Sequence, residues 1–408
     1  MASVNDNITL IQGAGLVMQD LYKEVTGAQD LSALPSGDYV SVANATFKYG
    51  VDQVAQGLAR VLTRTVFSAR PYNSKLSFLQ VDSTTWGGMM RKIHPIDDPA
   101  FIDTKTMPLT QGSSIDPYTI HKHPTFQQFV TGEYRFARVL TKFIDQLEAC
   151  FFNAAEFGSF LGMIITEVTN EINVADEGVS RMTLANFVIG NCYSDAQGAS
   201  VEAGHRVIHA ITAYDTYYGY TSSDAGYLDP TDPATATKTP EFWKWLYTKI
   251  KHELEFMAER TQFYHVALTN KPISKHTSPE NRRILINSEM HEFFNVFAKA
   301  GTYHDDYLKI GENVEDVAFW QNPKAPLSMK AIPTYLKPDG TLMEMTDAAT
   351  IENIVMVVFD KDAMAITKKK AKVEAIHNPA GQYDNLWYNW EYATMNDFCE
   401  NAFVVCLD

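Results

Sequence analysis

Two histidine pairs are the first candidates for chemistry. In Glu202-Ala203-Gly204-His205-Arg206-Val207-Ile208-His209 the imidazoles stand at i and i+4. On a helix that spacing puts both rings on one face, as zinc ligands are placed. Arg206, however, occupies the position where zinc proteases carry their general-base Glu, and Gly204 weakens a helix. The second pair, His121 and His123, precedes Pro124 in an extended segment, so both rings project to one side. Neither Cys nor carboxylate stands near it at ligand spacing, which predicts a polar strand face. Asp97-Asp98 and Asp305-Asp306 lie beside turn residues and read as solvated acids. Gly13-Ala14-Gly15 lacks the third glycine and the preceding strand of a nucleotide-binding turn. The chain has no nucleophile elbow, P-loop or deaminase-type His/Cys pattern. The expectation is a chain with no catalytic residue, no metal and no cofactor. The alternative left open by the spacing is a metal-dependent hydrolase using His205 and His209.

The four cysteines, Cys150, Cys192, Cys399 and Cys406, form no C-x-x-C pair, and three sit in apolar surroundings. They read as reduced, buried thiols of a cytoplasmic protein. A formal charge of -15 gives no basic face for gripping phosphate. The one basic run, Lys368-Lys369-Lys370 with Lys372, falls in a strand-rich stretch and reads as a solvated strand edge. Met1-Ala2-Ser3-Val4-Asn5-Asp6 shows neither a basic nor an apolar signal region, and no apolar run approaches the ~20 residues of a membrane span. With 408 residues, 45% of them hydrophobic, the chain can bury a sizeable core in two or three domains.

Periodicity supplies the elements. Val51, Val54, Ala55, Leu58, Val61 and Leu62 recur at helix spacing. Residues 72–125 differ: short strand signals are broken by Gly87-Gly88 and by Pro95, Pro99, Pro108, Pro117 and Pro124. Such an excursion has too few periodic apolar positions for a core of its own, so it predicts a partner surface. Phe78, Leu79, Trp86 and Ile93 are its candidate anchors. Residues 126–190 read as the clearest helical stretch. From Glu156, the residues Phe157, Phe160, Leu161, Ile164, Ile165, Val168 and Ile172 mark one face. About 35 residues of helix would run about 50 Å and need an equally long cover. Residues 220–240, rich in Ser, Thr, Asp, Gly and Pro, predict a surface loop. Helices follow over Phe242–Met257 and Met290–Phe297; Ser278-Pro279-Glu280 resembles a helix start, while Arg282–Ile286 equally suits a buried strand. Ile354–Phe359 suits a strand buried on both faces. Residues 363–376, a turn at Asn378-Pro379-Ala380-Gly381, Leu386–Tyr392 and Ala402–Leu407 complete a closing set of strands.

The order of those last motifs carries a resemblance. Val357-Val358-Phe359-Asp360-Lys361-Asp362 leads through Asn378-Pro379-Ala380-Gly381-Gln382-Tyr383 to Trp387-Tyr388-Asn389-Trp390. It ends at Asn401-Ala402-Phe403-Val404-Val405. This is similar to the end of the major head proteins of small short-tailed phages. The chain from about residue 60 onward resembles the tailed-bacteriophage major capsid protein, whose fold herpesvirus capsid floors share.

The resemblance implies an α+β fold with five parts: an N-terminal arm and helix over 1–71; an extended loop over 72–125 that reaches across a neighbouring subunit; a peripheral domain over 126–200 with a long spine helix; an axial domain over 201–345; and C-terminal strands over 346–408 that return to the peripheral domain. Phe160, Ile164, Ile165 and Val168 would then face Val357, Trp390, Phe403 and Val405 in the peripheral core. It also implies a homo-oligomer of pentamers and hexamers in an icosahedral shell around packaged double-stranded DNA, bound without sequence specificity. A separate scaffolding protein, a portal protein at one vertex and room for a decoration protein belong to the same expectation. So do assembly in the host cytoplasm and residence in the virion.

Overall fold

A computed structural model describes residues 76–81, 90–97, 118, 120, 124–130, 133–143, 154–269, 272–299, 310–381 and 383–408. The helical reading of residues 51–62, the His121/His123 pair, Asp305-Asp306, Cys150 and Trp86 lie outside the described residues.

In chain order, short β1 (Gln80–Val81) precedes β2 (Met90–Pro95), β3 (Thr125–Val130) and β4 (Glu133–Phe143). Helix α1 (Ala154–Ala196) follows, then β5 (Val207–His209), α2 (Ala210–Tyr218), α3 (Ala234–Thr237) and α4 (Pro240–Ala258). Next come β6 (Arg282–Asn287), α5 (Ser288–Phe293) with a π-helical continuation over Phe294–Lys299, and β7 (Val314–Val317). Four three-residue strands, β8 (Met329–Ala331), β9 (Thr334–Leu336), β10 (Leu342–Glu344) and β11 (Ala349–Ile351), precede β12 (Ile354–Asp360). The chain closes with β13 (Met364–Asn378), β14 (Tyr383–Asn396) and β15 (Ala402–Cys406).

The chain divides into two compact units, each drawn from separated segments. The first unites Met1–Thr85, Gly132–Val179 and Thr367–Ala393. It holds a four-stranded sheet in the order β1-β13-β14-β4, with β14 antiparallel to β4 from Tyr383↔Phe143 to Ala393↔Glu133. Strand period explains its packing: Leu386, Tyr388, Trp390 and Tyr392 are buried while Trp387, between them, faces outward. The Phe136 ring stacks on Trp390 at 6.4 Å and meets Tyr392 edge-on at 5.6 Å. The Tyr392 hydroxyl donates to Asp176 of α1, and Arg138 of β4 pairs with Glu171 of the same helix.

The second unit unites Trp86–Thr131, Ser180–Ile366 and Thr394–Asp408. Its five-stranded mixed sheet runs β5-β15-β12-β6-β7. β12 is antiparallel to both β15 and β6, whereas β15–β5 and β6–β7 are parallel. Every residue of β12 and β15 is buried, which is why both read as unbroken apolar runs. On one face Ile284, Ile286, Met356, Val358, Phe403 and Val405 join Phe242, Trp243, Leu246, Ile250 and Leu254 of α4 in one core. Phe359, on the alternate register, meets Phe187 of α1 at 6.3 Å between ring centroids. Phe187 also stacks on Phe398 at 5.7 Å, and Gly190, one turn on, brings the helix backbone against Phe398 and the Thr334 carbonyl.

Several expectations need correction. Residues 125–143 are strands, not the start of a helix. Tyr134, Phe136 and Val139 are β-branched or aromatic residues, and the partner β14 stabilises them as a strand from some 250 positions away. The helix begins at Ala154 and runs to Ala196. The C-terminal strands do not return together: β12 and β15 lie in the second unit's sheet, and only Thr367–Ala393 belongs to the first. Val357, Phe403 and Val405 are therefore core residues of the second unit, while Trp390 is a core residue of the first. The helix residues described against the β12 sheet centre on Phe187. The side chains of Phe160, Ile164, Ile165 and Val168 lie outside the described residues.

Candidate functional site

The His205/His209 pair does not share a helix face. His205 sits in a bend and His209 ends β5, so the i, i+4 relation has no geometric meaning. Gly204, at φ 85°, holds the left-handed conformation that breaks any helix there. The two rings have separate carboxylate partners: His205 Nδ1 lies 2.7 Å from Glu253, and His209 Nδ1 lies 3.2 Å from Asp408. The hydrolase alternative loses its geometry with the helix.

Glu253, fully buried on α4, also accepts from Tyr264 at 2.6 Å and pairs with Lys249 at 2.6 Å. Burial pushes its carboxyl up, but the hydrogen bonds from His205, Lys249 and Tyr264 outweigh that and hold it at about 2. Arg206, fully buried, donates to the carbonyl and side-chain oxygens of Asn191 and to Ser200, tying the end of α1 to β5. Burial lowers its guanidinium to about 10 without discharging it at neutral pH. Glu253 and Arg206 each spend their charge on groups of their own chain, although Arg206 Nε is buried without a hydrogen-bond partner.

Another buried polar cluster among the described residues has metal-ligand chemistry. His94 of β2, Asp397 and Cys399 offer one atom each within 4.8 Å of one another. Two lysines decide against a cation. Lys92 Nζ lies 2.8 Å from Asp397 Oδ2, and Lys275 Nζ lies 3.0 Å from His94 Nδ1. An ammonium can only donate, so His94 Nδ1 accepts and the ring proton sits on Nε2, 3.0 Å from Asp397 Oδ2. Burial and the nearby Asp397 charge push the Cys399 thiol far up. Burial also acts to raise the Asp397 carboxyl, but the His94 hydrogen bond and the Lys92 charge hold it well below the usual range. Sequence reading missed this cluster. Its one local sign is the alternation Lys92-Ile93-His94 on a strand, with both polar residues on the same side.

Of the candidate contact residues, the arm formed by β2 and β3 carries Ile93. The strands pair antiparallel from Met90↔Val130 to Pro95↔Thr125. Ile93 is 49% exposed, and Tyr118 and Ile120, beyond β2, are 87% and 81% exposed. Phe78 is half-buried, and Leu79 is covered by its own chain at 2% exposure. Among the described cysteines, Cys399 and Cys406 are buried, Cys192 is half-buried, and none forms a disulfide. No described helix is long and apolar enough to cross a membrane.

The profile of the Phi29-like phage major capsid protein family matches residues 40–406. The fold is that of phage capsid structures. The capsid structure of Staphylococcus phage Andhra superposes with a TM-score of 0.53 at 10% identity, covering 83% of this chain and 84% of that one. A chain from the structure of head fiber and inner core protein gp22 of native bacteriophage P68 gives 0.54 at 10% identity, covering 82% and 85%. None of the curated proteins matches. The chain belongs to the Phi29-like phage major capsid protein family, as a structural subunit of the virion shell and not an enzyme.

Proposed function

We propose that copies of this chain close into rings of five and six and build an icosahedral head around double-stranded DNA. The first unit acts as the peripheral domain, the second as the axial domain, and α1 as the spine helix. The arm β2–β3 reaches across a neighbouring copy. The observation that carries this reading is the exposure of Ile93, Tyr118 and Ile120 in the single subunit. Large apolar groups exposed on one copy and covered on assembly drive association. Leu79 drops out as an anchor because its own chain covers it. A net charge of -15 suits an inner wall that lets packaged DNA slide without gripping it. A separate scaffolding protein, a portal at one vertex and assembly in the host cytoplasm complete the proposal.

Coexpression of the chain with its scaffolding protein, followed by sedimentation and negative-stain microscopy, tests it. Wild-type chain yields closed shells. Ile93→Asp combined with Ile120→Asp leaves the helical circular-dichroism signal intact and abolishes shells. Shells in normal yield from that variant would remove these residues from the interface.

A further inference from the structure

We propose that Lys92, His94, Lys275, Asp397 and Glu400 form a latch that fixes the root of the arm to the body of its own subunit. The latch concerns contacts within one chain and does not depend on what the arm touches in a shell. β2 and the residue after it present alternate residues inward: His94 and Ile96 are buried and Lys92 half-buried, while Ile93 and Pro95 point out. Two of these three inward positions carry polar heads, and both meet the segment that joins β14 to β15. Lys92 Nζ lies 2.8 Å from Asp397 Oδ2 and 2.7 Å from Glu400 Oε1, and donates to the Asp362 carbonyl at 2.7 Å. His94 Nε2 lies 3.0 Å from Asp397. Lys275 closes the circuit, 2.5 Å from Glu400 and 3.0 Å from His94 Nδ1. Asp397 is itself fixed: its backbone N–H donates to the Ala363 carbonyl, and its Oδ1 accepts from the Cys399 N–H.

The network has the features of a positioning device. Each group has a partner of opposite sign or a directional hydrogen bond, so a one-residue slip that brought Ile93 to the place of Lys92 would leave Asp397 buried without its cation, and a slip the other way would put Ile93 in the place of His94. That registers the strand far more sharply than apolar contact, which tolerates sliding. His94 and Asp397 are 2% and 1% exposed, so salt screens them little. Backbone bonds extend the hold just beyond β2: Ile96 N–H donates to the Pro124 carbonyl and Asp97 N–H to the Pro272 carbonyl, with Arg260 on the Asp97 carboxylate at 2.6 Å.

Amide hydrogen exchange on the full-length, unassembled chain tests the latch through Glu400→Gln and Lys92→Met. In each variant exchange should rise about tenfold or more across Met90–Ile96 and Thr125–Val130, while α4 stays within about twofold of wild type. Lys92→Arg, which keeps the cation between Asp397 and Glu400, should retain most of the protection. Unchanged exchange in the ribbon would overturn the latch. So would loss of α4 protection in both Glu400→Gln and Lys92→Met, which would make the network part of the core and not a device for the arm. Titration with cobalt(II) supplies a further check. The latch predicts no thiolate-to-cobalt absorption, and such a band would overturn it by showing His94, Asp397 and Cys399 ligating a metal.

Discussion

Two glycines of α1 give a test that turns on sign. Gly178 and Gly190 both lie inside the helix, and replacing an interior helical glycine with alanine ordinarily gains about 1 kcal/mol. At Gly178 a Cβ would meet nothing within 4 Å, so Gly178→Ala should stabilise by about 0.5–1 kcal/mol. At Gly190 the same atom would lie 2.5 Å from the Thr334 carbonyl oxygen and 2.7 Å from two carbons of the Phe398 ring. Neither neighbour can retreat easily. Thr334 is held by the Asn186 side chain, which accepts from its N–H at 3.0 Å, and Phe398 is fully buried against Phe187. Overpacking costs about 1–3 kcal/mol, and a fixed backbone atom puts this case at the upper end. After the propensity gain, Gly190→Ala should destabilise by about 1–2 kcal/mol. Urea unfolding of the unassembled subunit, followed by circular dichroism, should therefore move the two midpoints in opposite directions. A Gly190→Ala midpoint raised like that of Gly178→Ala would refute the packing of α1 on β9 and Phe398.

Other expectations follow from the same contacts. Glu253 has its folded carboxyl depressed from 4.5 to about 2, so its contribution is present above pH 4.5 and is lost as pH falls toward 2. Acid unfolding of Glu253→Gln should accordingly show a shallower loss of stability over that window than wild type, and parallel curves would count against the cluster. Deleting residues 398–408 removes β15 from between β5 and β12, and insoluble protein is expected; a soluble truncated chain that still forms shells would contradict the sheet order. Changing the exposed His209 to Ala should leave assembly unchanged, and elemental analysis of wild type should find no stoichiometric zinc; about one zinc per chain would revive the hydrolase. In limited proteolysis the free subunit should be cut within residues 96–124 and assembled shells should resist there; equal cutting in both states would show that the arm makes no contact between copies.

Much of the second unit was legible in the sequence because its strands are buried on both faces. Ile354–Phe359 and Ala402–Leu407 are unbroken apolar runs that only a covered sheet explains, and they are β12 and β15. The turn at Asn378–Gly381 does join β13 to β14. Local period failed where a distant partner decided the outcome. Glu133–Phe143 contains residues that fit either period, and β14 settles the matter. The i, i+4 histidines misled because spacing says nothing unless a helix exists, and Gly204 ends that possibility. Asp397 and Lys92 lie about 300 positions apart, so no motif could have joined them. The assignment of all C-terminal strands to one domain failed because long strands β13 and β14 each carry residues of both units.

We propose that this subunit builds a shell of fivefold and sixfold rings whose copies are clasped by the arm. A cryo-electron microscopy reconstruction of shells assembled from the full-length chain tests it directly. The expected result is a closed icosahedral shell in which residues 96–124 lie on a neighbouring copy, Ile93 and Ile120 are covered by that neighbour, and Lys92 remains on Asp397 of its own chain. A shell whose arms pack on their own copies, with Ile93 and Ile120 facing solvent, would contradict it.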